Sequence, residues 1–150
     1  MSDRFVYVTY IRTTPEKAWN ALMQPEFNKL YWFGAFMESE WKQGAPWKIV
    51  LPDGRIADMG EIVEIEKPKK IVIKWRNEFM PEMKAEGWSR CTIELEAAGD
   101  TVKLTVLHEI DKDDSKFIKA VSGGWPKILS GLKSLLETGK PLEDIKPGPK

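Results

Sequence analysis

No stretch of the chain leaves fewer structural options than Ser122–Gly139, which reads SGGWPKILSGLKSLLETG. Trp125, Ile128, Leu129, Leu132, Leu135 and Leu136 recur at i, i+3, i+4, i+7, i+10 and i+11, the apolar stripe of an amphipathic helix. Lys127, Ser130, Lys133, Ser134 and Glu137 take the other face. Phe117, Ile118 and Val121 continue the stripe upstream, so the spacing predicts one helix from near Ser115 to Thr138, with Gly139 at C′ and Pro141 just beyond. Gly123, Gly124 and Pro126 lie inside it. An internal proline costs about 3 kcal/mol and kinks a helix, whereas each large apolar side chain buried is worth roughly 1.5–3 kcal/mol. Burial outweighs the proline, so a kinked helix is expected, with a fresh start near Ser122 as the alternative. A helix this one-sided requires a broad apolar surface to lie on.

The preceding chain offers such a surface. Arg4–Arg12 is rich in aromatic and β-branched residues and reads as a strand. Thr14-Pro15-Glu16 then opens a helix, with Thr14 as N-cap, Pro15 at N1 and an acid in the first turn. Ala18, Trp19, Leu22 and Met23 form its apolar side, and Pro25–Phe33 reads as a second short helix. From Gly34 to Ile110 the pattern is one of strands, divided by turn signals at Gln43-Gly44, Pro52-Asp53-Gly54, Lys67-Pro68-Lys69 and Ala98-Gly99-Asp100. Trp47, Ile49 and Leu51 share a face, as do Ile71, Ile73 and Trp75, then Cys91, Ile93 and Leu95, then Val102, Leu104 and Val106. Polar residues alternate with them, so an antiparallel sheet covered on one side is expected, with the C-terminal helix as the cover. Met80–Trp88, MPEMKAEGW, has the methionine and tryptophan content of a mobile flap, though a plain surface loop is the leading expectation. One domain over residues 1–141 and a frayed tail over 142–150 are expected.

The motifs TTPEKAWNAL, WKQG followed by PDGRIADMGEIVEIEKPKKIVIKW, and GGWPKILSGLKSLLETG carry a family resemblance that spans about Phe5 to Pro141. The chain resembles the START-like, birch-pollen-allergen-like (SRPBCC) superfamily, in the branch similar to the C-terminal domain of the activator of the heat-shock protein 90 ATPase. The resemblance implies an α+β helix-grip fold, in which about six or seven antiparallel strands curl around a long C-terminal helix and leave a cavity for a hydrophobic ligand. It also implies a possible chaperone partner.

Charge and composition narrow the function classes. The 23 basic and 23 acidic residues cancel, which removes the electrostatic footprint of a nucleic-acid binder or a polybasic membrane module. The opening MSDRFVYVTYIR has no charged region leading into an apolar run, and no run of 18 apolar residues occurs, so a soluble, cytoplasmic protein without membrane insertion is expected. With one cysteine and one histidine, Cys91 and His108, the usual zinc sets cannot be assembled, and a Cys–His dyad would have to be this pair. The glycines of GGWPK lack the spacing of a phosphate loop. Asp111, Asp113 and Asp114 lack the spacing of a calcium loop and read as acids at the start of the last helix. No cofactor or metal is expected.

The polar residues that alternation places on the apolar face are the ones to watch. His108 follows Val102, Leu104 and Val106 in register, and Glu61 precedes Val63 and Ile65 in the same way. A histidine and a carboxylate aimed into an apolar pocket are the convergent polar groups that orient a ligand. A bulge near Gly60 would instead turn Glu61 outward, and a strand-end position would let His108 meet solvent. The seven tryptophans exceed what a core of this size needs, and their amphipathic rings suit pocket walls as well as cores. The candidate lining is therefore Trp32, Trp41, Trp47, Glu61, Trp75, Trp88, His108, Trp125, Ile128, Leu129 and Leu132. Non-catalytic binding of a lipid-like or aromatic small molecule is the leading expectation. Activation of a chaperone ATPase and a cyclase- or dehydratase-type reaction using His108 or Glu61 are the alternatives.

Overall fold

The computed structural model of the chain describes residues 2–142. In chain order the elements are β1 (Asp3–Ile11), α1 (Pro15–Met23), α2 (Pro25–Tyr31), β2 (Phe36–Ser39), β3 (Pro46–Val50), β4 (Ile56–Glu66), β5 (Lys70–Asn77), α3 (Pro81–Lys84), β6 (Ser89–Ala98), β7 (Thr101–Ile110) and α4 (Lys116–Thr138). The seven strands form one antiparallel sheet in the order β1-β7-β6-β5-β4-β3-β2. Its apolar face is covered by α4 and its other face is wet, which is the α+β helix-grip arrangement. The expected fraying falls on the tail, which beyond Leu142 lies outside the described residues.

Local chemistry sets the helix ends. Thr14 Oγ1 accepts from Lys17 N at 3.3 Å with Pro15 at the first helical position of α1. Ser115 Oγ accepts from Ile118 N at 3.0 Å at the start of α4, and Gly139, at φ 84°, closes it by donating its N–H to Leu135 O. The acids Asp111, Asp113 and Asp114 are not the caps that the sequence suggested. Asp3 Oδ2 accepts from Ser115 N, and both oxygens of Glu86 accept from the first turn of α4. The helix runs unbroken through Pro126, with no fresh start at Ser122. Pro126 has no N–H to give to the Ser122 carbonyl, the local condition for a bend. Phe117, Ile118, Trp125, Ile128, Leu129 and Leu132 are buried against the sheet and the α1–α2 pair.

A buried polar knot fixes α1, α2 and β2 to one another. Asn28 Nδ2 donates to Leu22 O at 2.9 Å, Tyr31 Oη donates to Ala21 O at 2.7 Å, and Asn28 Oδ1 accepts from Met37 N at 3.0 Å. Burial raises the Tyr31 phenol above its ordinary range. Among the described residues no helix is long and apolar enough to cross a membrane.

Strand β4 departs from the sequence reading. Its pairing with β5 slips between Ile62 and Glu64, a bulge that leaves Val63 without a partner. The residues that face the helix are therefore Asp58, Gly60 and Ile62 on one side of the bulge and Ile65 on the other, and Glu61 is exposed on the wet face. Counting back from Val63 and Ile65 therefore misplaces Glu61, which a bulge turns outward as the alternative reading expected, though at Val63 rather than near Gly60.

Candidate functional site

The site forms where the middle of the sheet meets the glycine-rich half of α4. Trp47 on β3, Gly60 on β4 and Trp75 on β5 are directly opposite one another. Having no side chain, Gly60 lets the two flanking indoles close over it, and their ring centroids lie 4.4 Å apart. The helix adds Trp125, whose ring makes edge contacts with Trp75 at 5.9 Å and with Trp32 at 5.4 Å. His108 on β7 packs 4.8 Å from Trp75 and 5.0 Å from Phe117. Trp47 is anchored by an Nε1–H bond to Met37 Sδ at 3.4 Å.

His108 is completely buried and both of its ring nitrogens are engaged. An indole N–H can only donate, so the 3.2 Å contact from Trp125 Nε1 makes His108 Nδ1 an acceptor and places the proton on Nε2. Nε2–H then donates to Ser89 Oγ at 3.0 Å, and Ser89 Oγ–H donates to Trp75 O at 2.8 Å. This chain pins α4 to three strands. Burial without a charged partner lowers the imidazole pKa to about 3, so the neutral ring is the working form. A ring with both nitrogens committed and no tendency to protonate does not serve as a general acid or base. Cys91 is opposite His108 on β6, but its thiol is buried and pushed far up by desolvation, and the histidine bonds elsewhere.

Besides Asn77, the polar side chain that reaches the cavity is Asp58. Its Oδ2 accepts from Trp75 Nε1 at 2.7 Å and from Asn77 Nδ2 at 3.4 Å. The residue is 9% exposed, and desolvation, opposed by these two bonds, raises its pKa to about 6. The cavity beside it measures about 180 Å³ and is walled by Trp32, Trp75, Phe117 and Trp125, with Ile49, Met83 and Ile128 among the aliphatic lining. Gly124 also borders it, and a Cβ there would point into open space.

Met83 comes from the segment between β5 and β6, which is a short helix with anchored ends. Asn77 Oδ1 accepts from the N–H groups of Phe79 and Met80, and Glu78 pairs with Arg76 and Lys84. At the far end Glu86 Oε1 accepts from Ser115 Oγ at 2.5 Å and Oε2 from Lys116 N at 2.8 Å, latching the segment onto the start of α4.

The expected lining residues divide into three groups. Trp32, Trp75, Trp125 and Ile128 border the cavity, whereas Trp47, His108, Leu129 and Leu132 are buried behind it. Glu61, Trp41 and Trp88 are elsewhere. Trp88 is 41% exposed on the wet face, between Lys74 and Arg76, whose cations lie 4.8 and 4.4 Å from its ring. Trp41 borders a separate groove of about 590 Å³ with Trp19, Met23 and Ile65, where the polar neighbours Asn20, Gln24 and Lys67 are all at least partly exposed. Asp58, Asn77, Met83 and Ser89 were not anticipated. For Asp58 the usable signal was its alternation with Gly60 and Ile62 rather than with Val63.

Comparison with solved structures places this arrangement among related folds. A protein from Mesorhizobium loti, MLL2253, is 21% identical with a TM-score of 0.76, over 89% of this chain and 96% of that one. The Aha1 dimer from Colwellia psychrerythraea is 17% identical with a TM-score of 0.74, over 92% of this chain and 98% of that one. An HSP90 activator from Plasmodium falciparum is 23% identical with a TM-score of 0.72, over 89% of this chain and 95% of that one. No curated protein matches the sequence. These likenesses establish the fold, and the family model that matches residues 12–137 extends them to descent: the chain belongs to the family described as Activator of Hsp90 ATPase homolog 1-like protein.

Proposed function

We propose that the protein binds a compact hydrophobic small molecule, aromatic in character, between the sheet and α4, and does so without catalysis. The observation that carries this reading is the cavity of about 180 Å³ whose walls are Trp32, Trp75, Phe117 and Trp125. An apolar cavity of roughly 150 Å³ is known to take up benzene, whereas drug-sized ligands occupy roughly 300–1,000 Å³. The volume therefore favours one or two rings over an acyl chain or an extended polycycle. A cyclase or dehydratase using His108 or Glu61 has no support, because one is a neutral structural pin and the other is exposed on the far face. Titration with indole and other one- and two-ring compounds is expected to produce saturable shifts of the Trp32, Trp75 and Trp125 indole N–H resonances and a change in tryptophan fluorescence. A panel of such compounds that left those three resonances in place would remove this reading.

The family description favours a second reading, action on an Hsp90-type ATPase. The Plasmodium falciparum relative, 95% of whose chain is covered, is itself named an HSP90 activator, so a chain of about this extent bears that name. Under this reading, saturating protein is expected to raise the chaperone's ATP turnover severalfold. An unchanged rate would end it for the chaperone assayed.

A further inference from the structure

Most buried carboxylates in proteins are paired with a cation, because desolvating an unpaired charge is costly. Asp58 is not. It is nine-tenths buried, and both of its hydrogen bonds come from neutral donors and converge on Oδ2. Among the described residues no lysine, arginine or histidine nitrogen is within 4.0 Å of it, and no protein donor reaches Oδ1. The charge that acts on the carboxylate is that of Glu78, which is of the same sign. The cavity thus joins an uncompensated carboxylate to walls of three tryptophans and a phenylalanine. Aromatic faces attract cations through their quadrupoles, and a carboxylate oxygen with no donor is an acceptor for an N⁺–H group.

We infer that the cavity takes a small organic cation, an apolar or aromatic group carrying a protonated amine, with the ammonium on Asp58 Oδ1 and the apolar part among Trp32, Trp75, Phe117 and Trp125. This rests on the binding function proposed above and names the chemical class of its ligand. The geometry separates the two ends: Asp58 and Asn77 sit at the sheet side, and Phe117, Gly124 and Ile128 of α4 form the opposite wall. The neutral donors on Oδ2 hold the carboxylate in place and leave the other oxygen for the ligand. The space limits the ligand to about the size of one ring with an aminomethyl arm.

Benzylamine and benzyl alcohol have nearly the same shape and differ in charge at neutral pH, so the pair isolates the claim. Each is titrated into the protein at pH 7.5, with the Trp75 and Trp125 indole N–H resonances as readout. Wild-type protein is expected to bind benzylamine at least about tenfold more tightly than benzyl alcohol, the advantage of pairing a full positive charge with the carboxylate over placing a neutral hydroxyl on it. Asp58→Asn, which keeps the shape and removes the charge, is expected to abolish that preference, with the larger loss of affinity falling on benzylamine. If wild type bound both compounds equally, or preferred the alcohol, the ammonium assignment would be overturned while the binding function stood. If it bound neither, both would fall. The wild-type comparison decides the matter even if Asp58→Asn does not fold.

Discussion

Replacing Gly60 with alanine is expected to destabilise the protein by about 3 kcal/mol or more and to dismantle the cavity at the same time. A Cβ built at this position would lie 1.6 Å from Lys74 O, 2.7 Å from the Lys74 carbonyl carbon and 3.3 Å from Trp75 Cα. All three are backbone atoms of the neighbouring strand, so no side-chain rotation relieves the contact. The β4–β5 ladder would have to part where Gly60 opposes Trp75. That movement carries Trp75 away from Trp47 and lengthens the 2.7 Å bond from Trp75 Nε1 to Asp58. Urea unfolding measures the first effect. The second shows in the near-ultraviolet circular dichroism of the tryptophans and in the Trp75 indole N–H resonance. A variant with an unfolding midpoint close to wild type and unshifted tryptophan signals would show that β4 can yield at Gly60, and the close approach would lose its structural importance.

The role of Gly60 also shows what was legible in the sequence. The last helix could be bounded to within a residue, because Ser115, the i, i+3, i+4 stripe and Gly139 are local signals that agree. The inward faces of β6 and β7 followed from strict alternation, which placed His108 inside, and on β5 the Ile71, Ile73 and Trp75 spacing sufficed although Val72 between them is also buried. Strand β4 was different because GEIVEI offers apolar residues to both faces, and only pairing with β5 reveals that Val63 is the extra residue. Setting Glu61 in register with Val63 therefore failed upstream of the bulge, which promoted Glu61 and concealed Asp58, whereas Ile65 beyond it faces the helix as expected. His108 was found but its partners were not. Its hydrogen bonds come from Ser89 and Trp125, 19 and 17 residues away, and no local pattern specifies such tertiary contacts. Trp88 misled for a further reason: an indole between two cations on a wet face has the same residue type as one in a core, and only the fold distinguishes them.

The two buried titratable groups beside the cavity oppose one another in acid, and stability should record the opposition. His108 titrates near 3 in the folded protein against 6.5 ordinarily, so as pH falls below about 6.5 the unfolded chain takes up a proton that the native protein refuses. Stability then falls by about 1.4 kcal/mol per pH unit, to a total of about 5 kcal/mol by pH 3. Asp58 behaves in the reverse sense. Its folded pKa is about 6 against 3.8, so on acidification the native protein binds the proton first and gains stability between about pH 6 and pH 4. Glu78 is the charge acting on Asp58, whose other neighbours Trp75 and Asn77 are neutral, and His108 is surrounded by the uncharged Ser89, Trp75, Phe117 and Trp125. In wild type the two slopes cancel, and urea unfolding should give a nearly level stability from pH 6 to about 4.5. Below that the curve drops, because the unfolded chain also takes up protons at Glu78 and Glu137, held below the usual carboxylate range by hydrogen bonds, and at Glu86, where desolvation is outweighed by the bonds from the start of α4. In Asp58→Asn the compensation is gone, and stability should decline without a plateau from pH 6.5 downward by about 1.4 kcal/mol per unit. Parallel curves for the two proteins between pH 6.5 and 4.5 would mean that Asp58 titrates as an ordinary exposed carboxylate, which would also remove the uncompensated charge from the cavity wall.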